Sequence, residues 1–127
     1  MEKSEKGEFN EQIRERTMNM AVEVHEHLIK AKISPVTRPI INQIIRSSSS
    51  VASNYRAATR GRSDAEFYSK ICIVVEEIDE TQFWLDYLSR INLTEIKDDR
   101  KLLAEVTELV KLFTSIKYKM KAKLGKG

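Results

Sequence analysis

At 127 residues the chain is sized for one domain with a single core, and 22 Lys and Arg against 19 Asp and Glu leave a mild net charge of +3 that permits an anionic partner without demanding one. Charged residues make up 32 % of it while Gly and Pro number only four and two, which excludes a turn-rich sandwich or barrel, and the lone Cys72 excludes an intrachain disulfide. The segment MEKSEKGEFNEQ holds no hydrophobic leader, and the longest aliphatic-plus-Cys run, Ile71 to Val75, is far too short to span a bilayer, so a cytoplasmic protein without membrane contact is expected.

In chain order, residues 1–8 are charged and expected to fray. From Phe9 the apolar positions Phe9, Ile13, Met20, Val24 and Leu28 recur at helical spacing, with Thr17 inside the stripe, and predict a first helix over 9–32. Ser34-Pro35 and Thr37-x-Pro39 both suit the start of a second helix, over 36–60, because proline is tolerated where the first N–H groups lack partners anyway. This helix presents Ile40, Ile44, Ser47, Val51, Tyr55 and Ala58 along one face. Its middle, Ser47 to Ser53, is almost all small, which lets a neighbouring helix approach closely. Serine is a mediocre helix former, so packing must hold this segment.

Gly61-Arg62-Ser63 punctuates the chain. Gly61 is expected to take the left-handed conformation that closes a helix. Ser63 with Glu66 three residues on reads as a capping box. Charge divides at the same joint: residues 36–62 carry five Arg and no acid, whereas residues 63–93 carry seven acids against Lys70 and Arg90. The third helix, over 64–91, has its main stripe at Phe67, Ile71, Val74, Ile78, Leu85 and Leu88. Cys72, Phe83 and Tyr87 lie on nearly the opposite side. A helix apolar on two faces must be covered on two faces, and the second cover is most simply another subunit. Asn92-Leu93-Thr94 breaks the pattern, and a fourth helix over 96–123 carries Leu102, Val106, Leu109, Phe113, Ile116 and Met120 before a Lys-rich end. Four stripes joined by short loops predict an all-α, antiparallel up-down-up-down four-helix bundle, one domain over 1–127.

The stretch VASNYRAATRGRS, then EF, then VVEEIDETQFWL resembles the bacterial four-helix-bundle proteins named after the intervening sequences of 23S ribosomal RNA. Many members read Asn-Ile-Ala-Glu-Gly where this chain has Asn54-Tyr55-Arg56-Ala57-Ala58; the Tyr-Arg-Ala-Ala form with Glu-Glu-x-Asp-Glu-Thr resembles a subgroup. The resemblance is strong from Ile40 to Leu88 and elsewhere rests on length and helix count. It implies a homo-oligomer, a pentamer in relatives, and no established activity. The accessory variability proteins of diversity-generating retroelements are similar in fold and bind nucleic acid and a reverse transcriptase, so the resemblance implies those partners too.

A carboxylate-rich bundle raises the di-iron question, which needs Glu-x-x-His on two helices. His25 and His27 are the only histidines, neither follows a Glu by three, and two residues apart they point to opposite sides. Neither metal nor cofactor is expected. Glu76, Glu77, Asp79 and Glu80 have no nucleophile or histidine base nearby in sequence and read as a solvated face or as partners for the arginines of the second helix. Arg56 and Arg60, four apart, share a helix face, with Arg62 in the turn. They and Lys117, Lys119, Lys121 and Lys123 read either as a phosphate-backbone patch or as salt-bridge partners and a solvated terminus. No base-reading motif is visible, so any nucleic-acid binding should be sequence-independent and salt-sensitive. Asn54 is expected to make a helix–helix hydrogen bond. Trp84 beside Phe83 reads as an anchor of the protomer or its interface, and Cys72 as a small packing residue. The chain thus reads as a non-enzymatic, self-associating scaffold or adaptor that binds RNA or DNA through a basic surface. The alternative is a protein-interaction module whose arginines are paired with the acidic third helix.

Overall fold

The computed structural model describes residues 4–125. Among these there are four helices and no strand: α1 Glu5–Ile29, α2 Arg38–Thr59, α3 Asp64–Arg90 and α4 Ile96–Lys123. α1 begins earlier than its apolar stripe predicts, because the Ser4 side chain accepts a hydrogen bond from the Gly7 N–H and caps the first turn. Residues 5–8 are therefore helical; residues 1–3 of the segment expected to fray lie outside the described residues. Phe9, the first residue of the expected stripe, is 43 % exposed, and the buried face starts at Ile13.

The turn into α2 is built from two hydroxyls. The Thr37 side chain accepts from the Ser34 N–H (2.8 Å), and the Ser34 side chain accepts from the Thr37 N–H (3.2 Å). Pro39 then falls in the first turn of α2, where no N–H is missed. Ile41 rather than Ile40 opens the buried face, with Ile44, Ser47, Val51, Tyr55 and Ala58 as expected. The serines bond back to their own helix, Ser49 Oγ to the Ile45 carbonyl at 2.8 Å for example, so their polarity costs little. Ser47 and Ser48 are buried, and Ser47 Oγ lies 2.8 Å from Thr81 Oγ1 of α3. Small side chains here do bring two helices together.

Gly61 does not take the left-handed conformation; Asn92 (φ 56°) and Gly125 (φ 68°) do, after α3 and α4. Gly61 leaves room instead, since a Cβ there would sit tightly at 3.1 Å from the Ala58 carbonyl oxygen and 3.3 Å from Glu66 Cβ. The cap beyond it is half the expected box. Ser63 Oγ accepts from the Glu66 N–H (3.2 Å), but the Glu66 carboxylate reaches past Ser63 to the Arg62 N–H (2.6 Å).

Successive helices run antiparallel. Arg14 of α1 donates to Thr59 at the end of α2 (2.9 Å), and Lys123 at the end of α4 pairs with Asp64 at the start of α3 (3.0 Å). The core joins Met20, Val24 and Leu28 of α1 to Ile44, Val51 and Tyr55 of α2, Ile71 to Leu88 of α3, and Leu102, Val106, Leu109 and Phe113 of α4. Tyr55 and Phe113 meet with ring centroids 5.4 Å apart. Of the neighbouring helices, α2 and α3 are the most closely packed pair, and α1 and α4 the least. Among the described residues no helix is long and apolar enough to cross a membrane.

Candidate interaction surfaces

α3 carries its second apolar face outward. Phe83 and Tyr87 are 59 % and 42 % exposed, while Trp84 lies half-buried against the core. Trp84 is the hub of the cluster: it meets Phe83 edge-on at 5.1 Å and Tyr87 edge-on at 5.5 Å. Cys72 is half-buried on the same face and hydrogen-bonded with Tyr68. Glu76 and Asp79 precede Phe83 by seven and four residues, so they flank the aromatic ridge on the outward side. Both are exposed. Glu77 and Glu80 turn toward α2 instead, where Arg46 bridges them at 3.0 and 2.5 Å. Those bonds raise the Arg46 pKa and keep its guanidinium charged. The pairing of acidic α3 with an α2 arginine is real, but it is Arg46 that makes it.

Arg56, Arg60 and Arg62 do not. Among the described residues their side chains enter no ion pair. Arg56 and Arg60 line a groove of about 870 Å³ between α1 and α2, floored by Ala52, Ser53 and Ala57 and rimmed by Arg14 and Glu15 as well. Arg62 sits beyond it in the turn to α3. The antiparallel order brings the end of α4 to this same end of the bundle. Lys117 and Lys121 share one side of α4, and Lys119 and Lys123 another. Lys123 is spent on Asp64, whose carboxyl it holds below the usual range by a hydrogen bond and its charge. Asn54 bonds within its own helix, to the Ser50 carbonyl and hydroxyl at 2.9 Å each, rather than across to another helix. Tyr55 of the same motif is fully buried, its hydroxyl 3.2 Å from Asn10 Oδ1. Burial pushes its pKa up to about 12, with Arg14 opposing.

The opposite end of the bundle holds a cluster that the sequence reading missed. His27 Nε2 lies 2.6 Å from Asp99 Oδ1, with both side chains buried, and Thr94 also hydrogen-bonds Asp99. Among the described residues Asp99 Oδ2 has no hydrogen-bond partner. The pair ties the last turn of α1 to the first turn of α4, where a carboxylate also suits the helix dipole. His25 is exposed, so the two histidines do point apart. A signal for the cluster existed: Asp99 continues the α4 stripe one step upstream of Leu102 and Val106. Midway along the same seam Arg16 makes a two-pronged bond to Glu105, 3.0 and 2.6 Å, beside a groove of about 570 Å³. Among the described residues no three His, Cys, Asp or Glu converge as metal ligands.

The sequence matches the 23S rRNA-intervening sequence protein family over residues 8–115. A crystal structure from Bacteroides thetaiotaomicron, described as a protein of unknown function from the S23 ribosomal protein family, is similar with a TM-score of 0.73 and 28 % identity. The match covers 83 % of this chain and 97 % of that one. No curated protein matches.

Proposed function

The chain belongs to the 23S rRNA-intervening sequence protein family, and from that premise we propose that it acts as a non-enzymatic scaffold that assembles from copies of itself. The observation that carries this is the ridge on α3: Phe83 and Tyr87, more than two-fifths exposed, packed edge-on against Trp84. Aromatic anchors of this kind dominate protein interfaces, and leaving them in water wastes their burial. The assembly is a homo-oligomer, five-fold by the family resemblance. Light scattering at micromolar protein should find a species well above the 14.7 kDa monomer. Phe83→Glu or Tyr87→Glu should dissolve it, because each sets an unpaired charge in a desolvated contact. A wild-type monomer across a wide dilution range would overturn the reading.

A second reading is favoured by one observation, the three arginines without ion pairs among the described residues, at the end shared with Lys117, Lys119 and Lys121. In it the scaffold holds RNA or DNA by the phosphate backbone, without base readout. Affinity should then fall linearly in log–log against salt, and Arg62→Gln with Lys121→Gln should flatten the slope by roughly one for each phosphate no longer neutralised. A slope that this double variant leaves unchanged would count against it.

A further inference from the structure

The ridge has a counterpart on the same molecule. Glu76 and Asp79, beside Phe83, have no ion pair among the described residues, and neither have Arg56 and Arg60 on the α1–α2 groove. Among the described residues the structure thus leaves carboxylates unpaired beside the aromatic ridge and guanidiniums unpaired on a groove floored by Ala52, Ser53 and Ala57, where Arg14, Arg56 and Arg60 outnumber the single acid Glu15. Where an arginine of α2 and the acids of α3 are within reach in one chain, at Arg46, they do pair. We propose that the α3 ridge of one copy seats in the α1–α2 groove of the next. Phe83 and Tyr87 lie on the small-residue floor, and Glu76 and Asp79 face Arg56 and Arg60. This rests on the self-association reading and names the surface that receives the ridge.

Charge decides the geometry of the contact. Ridge against ridge would set carboxylates against the same carboxylates, and groove against groove would set arginines against arginines, both repulsive. Ridge into groove is the arrangement in which both signs are met. Because ridge and groove are different surfaces, the contact is heterologous: each added copy offers one unfilled ridge and one unfilled groove, and growth stops only when the rotation closes a ring.

The test is a charge exchange read by light scattering. Glu76→Arg with Asp79→Arg, and separately Arg56→Glu with Arg60→Glu, should each raise the half-assembly concentration by roughly tenfold or more. The chain carrying all four changes should recover the wild-type mass, since attraction is restored with the signs reversed. An unfolded double variant would leave helical circular dichroism visibly reduced; Arg56→Gln with Arg60→Gln, which only removes charge, then takes its place and should weaken assembly in the same direction. A monomeric wild type would overturn the self-association reading itself. An assembled wild type dissolved by Phe83→Glu but indifferent to the groove changes would overturn the groove alone and leave that reading intact. Failure of the fourfold variant to reassemble would also overturn it. So would groove changes that spare the assembly while abolishing binding of a labelled oligouridylate or oligothymidylate, which would give the groove to nucleic acid.

Discussion

Tyr55 makes one buried side chain answerable to pH. Its ordinary value is 10.0, and burial lifts it to about 12 in the folded protein. Above about pH 10 the unfolded chain gives up this proton and the folded chain keeps it. The folded state then binds more protons, so stability present below that pH is lost as pH rises, by up to about 1.4 kcal/mol per unit until about pH 12. Urea midpoints measured across that window should show the decline, and Tyr55→Phe should flatten it. At the α2–α3 turn, Gly61→Val should cost about 1–3 kcal/mol by crowding the Ala58 carbonyl and the Glu66 stem. Ser63→Ala should cost about 0.5–2 kcal/mol through the missing cap, and unchanged denaturation midpoints in both would contradict this turn. The sequence located the joint correctly and misjudged its glycine. Spacing and residue type reveal that a turn is needed there. Whether the need is for an unusual φ or for bare space depends on a carbonyl and a side chain met only after folding.

Among the elements, the start of α3 was legible because Ser63 caps it, and the start of α4 because Asn92-Leu93-Thr94 breaks the apolar pattern before it. α1 was read to start four residues late, since polar residues at its start hide a first turn that Ser4 caps. The His27–Asp99 bond was not legible as a pair, for its partners are 72 residues apart and each looks ordinary in its own helix. It is nonetheless more deeply buried than the Arg16–Glu105 bridge, the other polar tie described between α1 and α4. Removing one partner strands the other in a dry site, so Asp99→Ala and His27→Ala should each cost roughly 1–3 kcal/mol or more. The double variant should cost clearly less than the sum, because the second removal relieves the first. Additive losses in a thermal-denaturation cycle would mean that the two groups do not depend on each other.

At the scale of the whole molecule, the division of charge between α2 and α3 was read correctly and its consequence only in part. Arg46 settles its charge inside the chain; among the described residues Arg56, Arg60, Glu76 and Asp79 do not, and no amount of periodicity distinguishes the two cases. If those charges meet between copies, the assembly should loosen as salt rises, since exposed pairs are screened within about 10 Å at 0.1 M. Sedimentation at rising salt checks this. The light packing between α1 and α4 has a different consequence. α3 packs closely on both α2 and α4, while α1 packs less closely on α2 and meets α4 across a groove, an Arg16–Glu105 bridge and a histidine. Deuterium should therefore enter the amides of α1 first and together, as that helix swings away from a trio that stays folded; the seam makes it the protein's door.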